Sequence, residues 1–370
     1  MKFSIPKSTL VGYLQSVLQV TPTKPALPIL SNIMLEALDK KLKISATDLD
    51  VSITATLPCE VAKKGVTAAP ARILSDIVRE LPESDINFDL TGSRLELKVP
   101  NGSYKIATVS VEDYPTLPAV NTKKQINLAG KQLVEMIKHS VFACSTDETR
   151  PALNGALWQT RGERMVMVAT DGHRLARVSA ENSALKGQHD DIIVPPKALN
   201  LITKLVGESD QEVGVIFGDN NLSFNLGDIT LTTRLIEGPY PNYEQVIPQN
   251  NSKRLQVSRT ELAAAVRRVA ILSSALTNQV RFGVSGSKLK LSSANTDVGG
   301  EAQETLACDF QGDEIELGYK AAYVQDILTR IDDEEVIFEL ESPISAGIVY
   351  GAKSDKNDFL CLIMPLRLAE

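Results

Sequence analysis

The chain carries the stretch ATDLDVSI at 46–53, which recurs as ATDGHRLA at 169–176 and, more weakly, as NTDVGG at 295–300. The distance from Asp48 to Asp171 is 123 residues, and from Asp171 to Asp297 it is 126. Solenoid repeats are only about 20–50 residues long, so a period of this length describes whole domains. We therefore predict three tandem copies of one domain.

Other landmarks keep the same period. The apolar positions Leu74, Leu199 and Val324 lie 125 residues apart, each inside a similar helix-like segment. A Tyr-Pro pair at 114–115 returns 126 residues later at 240–241. The repeat therefore does not depend on one short motif.

The composition is that of a globular protein with several domains. A length of 370 residues suits two or three domains, and the repeat selects three. No apolar run approaches the roughly 18 residues that a membrane span needs, and the amino terminus lacks a signal-peptide pattern. We therefore expect a cytoplasmic protein with no membrane partner.

The cysteines are scattered, without a Cys-x-x-Cys motif and without a nearby histidine pair. This pattern indicates neither a zinc site nor a redox motif, so we expect buried free thiols and no metal or other cofactor. The four positions are Cys59, Cys144, Cys308 and Cys361.

Each third of the chain contains two segments with helical apolar spacing. We predict helices over 5–20, 69–81, 128–143, 194–206, 257–272 and 317–331. Between them, apolar and polar residues alternate in short segments such as 41–46, 94–99 and 288–292, which indicates antiparallel strands with one solvated face. The predicted fold class is α+β, with two helices packed on antiparallel sheets in each domain.

We predict that the three domains span residues 1–122, 127–249 and 254–370. The polar segments 121–127 and 248–254 are interpreted as the linkers between them. Both are too short to let the domains move freely, which favours a fixed arc of three domains.

The charges are unevenly distributed. A net charge of −7 by itself argues against a nucleic-acid partner. The six predicted helices nevertheless contain twelve basic and five acidic residues and carry +7, which leaves −14 for the rest of the chain. One interpretation is that helices simply tolerate lysine and arginine. The other is a surface that contacts the phosphates of a regular polyanion without reading its sequence.

The second copy alone follows its Thr-Asp pair with Gly172-His173-Arg174-Leu175. Catalysis would require His173 as a base oriented by Asp171, but the chain has no phosphate-binding loop, nucleophile elbow, zinc-protease motif or dinucleotide fingerprint. A structural turn and a binding surface remain as interpretations. The apolar carboxyl-terminal segment LCLIMPLRL at 360–368 favours a binding surface, and we predict no catalytic residue.

Besides the repeat, the chain contains five specific motifs: MKF at 1–3, LPIL at 27–30, ATDGHRL at 169–175, YPNY at 240–243 and MPLRL at 364–368. On these motifs it resembles, over essentially its whole length, the bacterial sliding clamps, the beta subunits of DNA polymerase III. The resemblance implies a head-to-tail homodimer that closes into a ring of six like domains, with the helices lining the hole. Such a ring encircles duplex DNA without sequence specificity and is a non-catalytic processivity factor that tethers the polymerase.

The resemblance also implies a cleft between the second and third domains, to which clients bind through short Gln-Leu-hydrophobic segments. The implied clients are the alpha subunit of DNA polymerase III, the clamp loader, other polymerases, mismatch-repair proteins and ligase. Burial of two or three apolar side chains at about 1.5–3 kcal/mol each, less the cost of ordering the peptide, implies roughly micromolar affinity. The implied cleft residues are Leu153, Thr170, Gly172, His173, Arg174, Leu175, Pro241, Val246, Tyr323, Ile344, Leu362, Met364, Pro365, Leu366 and Arg367.

Two further sets of residues follow from the same resemblance. The ring is expected to close between Tyr104 and Ile106 of the first domain and Ile271 and Leu272 of the third domain in the other subunit; ordinary core burial is the alternative for these four. The DNA-facing basic residues are expected at Lys24, Arg72, Arg79, Arg150 and Lys197.

Some positions depart from the family pattern. Gln245 stands where several relatives carry Arg beside the cleft, which leaves peptide selectivity open. Pro196 replaces a basic residue common before Lys197, which removes one DNA contact. Ala369 and Glu370 extend past the usual terminal Arg-Leu.

The alternative function is that of a clamp-like paralogue, which binds client proteins but does not encircle DNA. Loss of the basic helix residues or of the closure residues would mark such a protein. Both sets are largely present in this sequence.

Overall fold

A computed structural model describes residues 1–118, 125–185, 191–296 and 299–368. The chain folds as two compact units. Unit 1 consists of Met1–Val134 with Lys197–Leu235, and unit 2 of Glu135–Pro196 with Ile236–Glu370. The predicted middle domain, 127–249, is thus divided between the units, because its two half-sheets continue into the sheets of the first and third repeats.

All six predicted helices are present, but they are shorter than predicted. The residues that precede α1 and α6 belong to strands instead, because their alternating pattern pairs them in sheets. The helices are α1 (Lys7–Leu18), α2 (Ala71–Glu80), α3 (Gly130–Ser140), α4 (Pro196–Val206), α5 (Arg259–Ala270) and α6 (Ala321–Leu328).

Unit 1 contains two antiparallel sheets. The five-stranded sheet has the order β5 (Glu60–Lys63), β1 (Lys2–Pro6), β7 (Asp85–Thr91), β8 (Arg94–Val99), β9 (Gly102–Ala107). The eight-stranded sheet has the order β10 (Gln125–Ala129), β15 (Glu212–Phe217), β16 (Asn221–Leu226), β17 (Ile229–Arg234), β4 (Val51–Pro58), β3 (Lys41–Thr47), β2 (Asn32–Leu38), β6 (Gly65–Pro70). The pairing of β17 with β4 joins the second repeat to the first.

Unit 2 also contains two antiparallel sheets. The nine-stranded sheet has the order β14 (Asp191–Val194), β11 (Ala156–Arg161), β12 (Arg164–Thr170), β13 (Arg174–Glu181), β26 (Phe359–Ile363), β25 (Gly347–Gly351), β24 (Glu335–Leu340), β18 (Lys253–Ser258), β22 (Asp309–Gln311). The four-stranded sheet has the order β21 (Gly300–Ala307), β20 (Lys288–Asn295), β19 (Gln279–Ser285), β23 (Ile315–Lys320). The pairing of β13 with β26 joins the second repeat to the third.

The strand predictions at 41–46, 94–99 and 288–292 are confirmed by β3, β8 and β20. The linker interpretation is partly wrong. Residues 125–127 open β10, which pairs with β15, and Lys253 and Arg254 open β18, which pairs with β24. Polar side chains fit these positions because strands with one solvated face carry them. Residues 121–124 lie outside the described part of the chain.

Buried aliphatic and aromatic side chains form the cores, and helices contribute one face each. In α2, for example, Leu74 and Val78 are buried while Arg72 and Arg79 are exposed. Burial of each such aliphatic side chain contributes about 1.5–3 kcal/mol. No helix among the described residues is long and apolar enough to cross a membrane.

The four cysteines are free, as predicted. The expectation that all are buried is wrong for Cys59, Cys144 and Cys308, which are half-buried, and correct for Cys361 in β26. The difference arises because β26 is central in its sheet and Cys59 and Cys308 lie in connections between strands.

Candidate protein-binding site and basic helix faces

The turn between β12 and β13 in unit 2 is fixed by its own side chains. Thr170 Oγ1 donates to the carbonyl of Arg174 at 2.6 Å and accepts from the N–H of Gly172 at 3.1 Å. Asp171 Oδ1 accepts from the N–H groups of His173 and Arg174, both at 2.9 Å. Gly172 has φ of 88°, a left-handed conformation that glycine adopts without strain. The turn leaves the His173 side chain exposed.

The turn between β3 and β4 in unit 1 repeats this pattern. Thr47 Oγ1 donates to the carbonyl of Val51 and accepts from the N–H of Leu49. Asp48 Oδ1 accepts from the backbone N–H groups of Asp50 and Val51. Leu49 also has φ of 88°, although it is not glycine. The first two repeats therefore share one backbone design and differ in the side chains it presents. The third counterpart includes residues 297 and 298, which lie outside the described part of the chain.

Arg174 is buried beneath the turn rather than free on the surface. Its Nε donates to Asp171 Oδ2 at 3.2 Å, its Nη1 to Asp326 Oδ2 in α6, and its Nη2 to the carbonyl of Phe142 at 3.0 Å. The guanidinium carbon also lies 4.5 Å from the centroid of the Tyr323 ring, a cation–π distance. Arg174 thus connects the turn to α6 and holds Tyr323 at the surface.

Aromatic and basic side chains gather around Tyr323. The His173 ring centroid lies 6.4 Å from that of Tyr323, and the Lys320 ammonium lies 4.7 Å from the same ring. Burial, with a smaller effect of the nearby Asp171 carboxylate, raises the pKa of the Tyr323 phenol. The phenol therefore stays neutral near pH 7.

The floor beside the turn is apolar. Leu175 pairs with Leu362 across β13 and β26, and both belong to a buried cluster with Val168, Leu360 and Tyr243. The carboxyl-terminal segment is anchored where it leaves β26, since the N–H of Met364 donates to the carbonyl of His173 at 2.8 Å. The segment that the sequence marked as apolar is therefore partly core strand and partly surface.

Two branched aliphatic side chains of the predicted cleft stand in solvent. Val246 is 57% exposed and Ile344 is 71% exposed. Their near neighbours in the chain, Ile247 and Ala346, pack against the buried cluster of Leu175 and Leu362. Exposed aliphatic side chains close to such a cluster indicate a surface that binds apolar segments of another protein.

All of the residues predicted for the cleft lie in unit 2. Six of them are linked by the hydrogen bond, ring contacts and strand pairing given above: His173, Arg174, Leu175, Tyr323, Leu362 and Met364. Leu153, Arg174, Leu175 and Leu362 are buried, whereas the other members are half-buried or exposed: Thr170, Gly172, His173, Pro241, Val246, Tyr323, Ile344, Met364, Pro365, Leu366 and Arg367. Their roles as peptide contacts stay predictions. Gln245 is exposed beside Val246.

Sequence reasoning missed Phe142 and Asp326, which hold Arg174. The available signal was the spacing of Tyr323 and Asp326, because residues at i and i+3 share one face of a helix. Only the fold shows that Arg174 reaches this face.

The geometry does not form a catalytic pair from His173 and Asp171. One carboxylate oxygen of Asp171 accepts from backbone and the other from Arg174. Across residues 1–118, 125–185, 191–296 and 299–368, no hydrogen bond joins the His173 imidazole to Asp171, and no cluster of three or more His, Cys, Asp or Glu residues could hold a metal ion. His189 lies outside the described residues.

The excess of basic residues persists within the observed helix bounds, which contain ten basic and five acidic residues. Among the five predicted DNA-facing residues, Arg79 contacts Asp76 and Glu80, Arg150 contacts Asp147, and Lys197 contacts Asp48. Arg72 donates to the Thr23 hydroxyl at 3.0 Å. Lys24 is exposed and has no ion-pair partner among the described residues.

Three further basic residues on helices were not included in the predicted DNA-facing set. Lys138 in α3, Lys204 in α4 and Arg267 in α5 are exposed, and none has an ion-pair partner in the part of the chain that the structure describes. Helical spacing alone could not select them, because helix phase read from sequence is uncertain by a residue or two.

The predicted closure residues lie near two open sheet edges. Tyr104 and Ile106 are in β9, the last strand of the five-stranded sheet. Ile106 is only 8% exposed, so core burial, the alternative interpretation, holds for it within one chain. Ile271 is 76% exposed at the end of α5, and Leu272 is half-buried.

Comparison with known proteins identifies the family. Three family models match in order: the N-terminal domain of the DNA polymerase III beta subunit at 1–118, its central domain at 127–242 and its C-terminal domain at 244–367. The chain is 32% identical to the beta sliding clamps of Pseudomonas aeruginosa, over 371 residues, and of Escherichia coli K12, over 370, with 100% of both chains covered in each case.

Solved structures agree with this match. A crystal structure of the Pseudomonas aeruginosa sliding clamp with ligand has a TM-score of 0.94 at 32% identity, with 100% of both chains covered. The clamp of Bartonella birtlesii bound to griselimycin has a TM-score of 0.94 at 29% identity, also with complete coverage of both chains. The chain belongs to the DNA polymerase III beta-subunit family, the sliding clamps.

This membership confirms several predictions. The chain is built from three tandem clamp domains that combine helices with antiparallel sheets. Its family consists of non-catalytic processivity factors, which confirms the prediction that the chain is not an enzyme.

Proposed function

We propose that the chain acts as a head-to-tail homodimeric ring that encircles duplex DNA without sequence specificity and tethers the replicative polymerase. The observation that carries the proposal is a pair of open sheet edges. Strand β9 ends the five-stranded sheet, and β21 ends the four-stranded sheet. Two other junctions between repeats, β17 with β4 and β13 with β26, are closed by strand pairing within the chain.

The strand counts support closure by a second copy. The five-stranded and four-stranded sheets together have nine strands, as many as the sheet that joins the second and third repeats. An unpaired edge is a template for pairing with another chain. Among the eight edge strands of the four sheets, β9 and β21 are the two whose counterparts in the other repeats are paired, β17 with β4 and β26 with β13. In a dimer, β9 of one copy can pair with β21 of the other, and the reverse pair covers the two remaining edges.

Apolar side chains lie beside these edges. Tyr104 in β9 and Ile271 after α5 are exposed, and Leu276, five residues further along, is 92% exposed. Leu276 is not among the closure residues predicted from the sequence. Burial of such side chains between subunits contributes about 1.5–3 kcal/mol each, before the cost of association.

The basic helix residues support the DNA-binding part of the proposal. Lys24, Arg72, Lys138, Lys204 and Arg267 are exposed cations without carboxylate partners among the described residues. Contacts from such cations to phosphates carry no sequence information. A ring that is held topologically needs little affinity, so a few such contacts leave it free to slide.

The apolar surface of unit 2 is proposed as the client site. Its partners would be the alpha subunit of DNA polymerase III, the clamp loader, other polymerases, mismatch-repair proteins and ligase, each through a short linear motif. Val246 and Ile344 are exposed, and their near neighbours Ile247 and Ala346 pack on the buried cluster of Leu175 and Leu362, which supports binding of apolar peptide side chains. Two sites per ring would allow a client with two motifs to bind with avidity.

We also propose that the functional domains span 1–122, 127–249 and 254–370. The family matches at 1–118, 127–242 and 244–367 support this division, although the two compact units cut across the middle domain.

The test is retention on DNA after loading by a clamp loader and ATP. The protein is loaded on nicked circular DNA and on the same DNA after linearisation, in salt high enough to screen phosphate contacts. We expect retention on circles and loss from free ends. Equal loss from both would reject the sliding ring and leave a paralogue that binds client proteins only.

A further inference from the structure

A pocket of about 700 Å³ lies on the nine-stranded sheet of unit 2. Strands β14, β11, β12 and β13 form its base, and the segment 238–244, with Tyr240 and Tyr243, forms its wall. This arginine pocket is named for three residues that line it, one from each of β11, β12 and β13: Arg161, Arg164 and Arg177. None of the three belongs to the predicted cleft or to the predicted DNA-facing set.

Strand pairing places the three arginines on one face of the sheet. Arg161 pairs with Arg164. Arg177 pairs with Val168, which lies four residues along β12 from Arg164. Side chains of directly paired residues, and of residues at even spacing along one strand, stand on the same face. Because four residues of a strand span about 13 Å, Arg177 is separated from the other two arginines by about that distance along the sheet.

The arginine pocket adjoins the predicted client cleft. Pro241 lines the pocket and is also one of the predicted cleft residues. On β13, Arg177 follows Leu175 by two residues, so the two side chains share a face and lie about 7 Å apart along the strand. A peptide bound in the cleft therefore has to extend by only a few residues to reach the arginines.

Hydrogen-bond donors in and beside the pocket are left unused. Arg164 Nε is buried and has no hydrogen-bond partner among the described residues, and Arg164 Nη2 is 3.8 Å from Asp358 Oδ1, near the limit for an ion pair. Ser179 pairs with Val166 at the base of the pocket, and its buried Oγ also lacks a partner within the described ranges. Buried polar groups in folded proteins are normally hydrogen-bonded, so these donors are available to a ligand.

The charges of the pocket favour separate carboxylates over a continuous polyanion. Arg177 has no carboxylate partner in the part of the chain that the structure describes, whereas Arg161 is paired with Asp191. Asp191 and Glu244 also line the pocket, so three cations stand beside two anions. A chain of phosphates would be repelled where it meets these two carboxylates. Single carboxylates can each face one arginine and accept its charged hydrogen bonds.

We propose that the arginine pocket binds acidic side chains of a client peptide whose apolar motif occupies the cleft, with Arg164 and Arg177 as the selecting cations. In an extended peptide, side chains four positions apart are about 13 Å apart, which matches the separation of these two arginines along the sheet. The proposal rests on the client site proposed above and specifies the chemistry of the residues that flank the motif. Clients with acidic flanks are thereby favoured over clients with neutral or basic flanks.

Peptides that differ only in their flank test the proposal on the full-length protein by fluorescence anisotropy. Each contains one Gln-Leu-hydrophobic motif and, on one side of it, a flank with two glutamates, two glutamines or two lysines at positions four apart. Both sides of the motif are tried. On one side, the glutamate flank should lower the Kd about fivefold relative to the glutamine flank, since each exposed ion pair contributes modestly. The gain should shrink at high salt, which screens such pairs.

Substitutions assign the gain to the pocket. Arg164→Gln and Arg177→Gln should each remove part of it and the double variant nearly all of it, while binding of the glutamine-flanked peptide stays unchanged. That unchanged binding also shows that the variants are folded. Arg281→Gln is the matched control, because Arg281 is an exposed, carboxylate-paired arginine on the four-stranded sheet, and it should keep the full gain.

The outcomes separate the pocket from the client site. Equal affinity for the three flanks on both sides of the motif, or a gain that the double variant keeps, would overturn the arginine pocket and leave the client site intact. Failure of every peptide to bind would overturn both. Binding of a single-stranded oligonucleotide that the double variant loses, without any preference among the flanks, would assign the pocket to nucleic acid and overturn the proposal.

Discussion

The guanidinium of Arg174 donates to the carboxylate of Asp326, although the two residues are 152 positions apart in the chain. The pair joins the end of a turn in the second repeat to α6 in the third. The same guanidinium also binds Asp171 and the carbonyl of Phe142, so one buried side chain fixes the surface on which His173 and Tyr323 stand.

Arg174→Ala should lower the free energy of unfolding by about 2–4 kcal/mol, because it leaves the partly buried carboxylate of Asp171 and carbonyl of Phe142 without their donor. Denaturant titration measures the loss, and binding of a Gln-Leu-hydrophobic client peptide should weaken with it. Arg281→Ala is the control, since the pair of Arg281 with Glu316 is exposed and should contribute less than about 1 kcal/mol. Equal losses in the two variants would contradict the central role of Arg174.

Gly172 and Leu49 share φ of 88° but should respond oppositely to exchange. Gly172→Ala should cost about 1–2 kcal/mol, because a Cβ is strained at this φ and would lie 3.0 Å from Arg150 Nη1. Leu49→Gly should be neutral or stabilising by up to about 1 kcal/mol, since relief of strain offsets the flexibility gained by the unfolded chain. Urea unfolding of both variants checks the prediction, and a large loss for Leu49→Gly would contradict it.

Ile344→Ser and Val246→Ser should each weaken binding of a client peptide by about tenfold while leaving the unfolding midpoint nearly unchanged. Both side chains are mostly exposed in the free protein, so their apolar area is buried only when a peptide binds. Fluorescence anisotropy with a labelled peptide measures affinity. Val66→Ser, at a partly exposed position in unit 1, is the control and should bind the peptide normally.

Lys24→Ala and Arg72→Ala should each reduce the slope of log affinity against log salt for duplex DNA by about 1, as expected for loss of one phosphate contact. Lys197→Ala should reduce it less, because Asp48 already neutralises that ammonium. Binding to a short linear duplex over a range of salt concentrations measures the slopes. A larger effect of Lys197→Ala than of Lys24→Ala would show that DNA displaces Asp48.

His139 should make stability depend on pH. Burial lowers the pKa of its imidazole, and the smaller effect of the Asp332 and Glu135 carboxylates, which raises the pKa, does not offset it. The centroid of the imidazole ring lies 4.6 Å from that of the Phe359 ring. Because the folded-state pKa is below the unfolded value near 6.5, the unfolded chain binds more protons and stability falls as pH drops below about 6.5. His139→Asn should lose less stability than the parent protein between neutral and mildly acidic pH, as measured by denaturant titration. An identical pH dependence in both would contradict this account.

Much of the fold could be predicted because the same motifs and apolar spacing recur in each third of the chain. The Thr-Asp motif at three positions indicated three tandem domains, and strand β8 begins and ends at the predicted residues. Helix bounds were predicted too long at α1 and α6, since apolar residues of an adjoining strand continue the helical pattern. The sharing of the middle repeat between two units could not be predicted, because it depends on pairing of β17 with β4 and of β13 with β26.

The candidate site divides in the same way. The turn at Thr170–Arg174 could be predicted because its hydrogen bonds join residues at most four positions apart. The burial of Arg174 could not, since its partners Phe142 and Asp326 are distant in sequence. Similarly, the sequence showed that the helices are basic, but not that Lys197 contacts Asp48, 149 positions away. The carboxylate contacts of Arg79 and Arg150, by contrast, join residues at most three positions apart.

By itself, the sequence determined the repeated domain, its local turns and the basic character of its helices, because these depend on residue types at short spacing. The tertiary structure alone decided which cations are free, which arginine is buried and which sheet edges stay open. The pair of Arg174 with Asp326 and that of Lys197 with Asp48 join segments about 150 residues apart, and no local pattern in the chain carries that information.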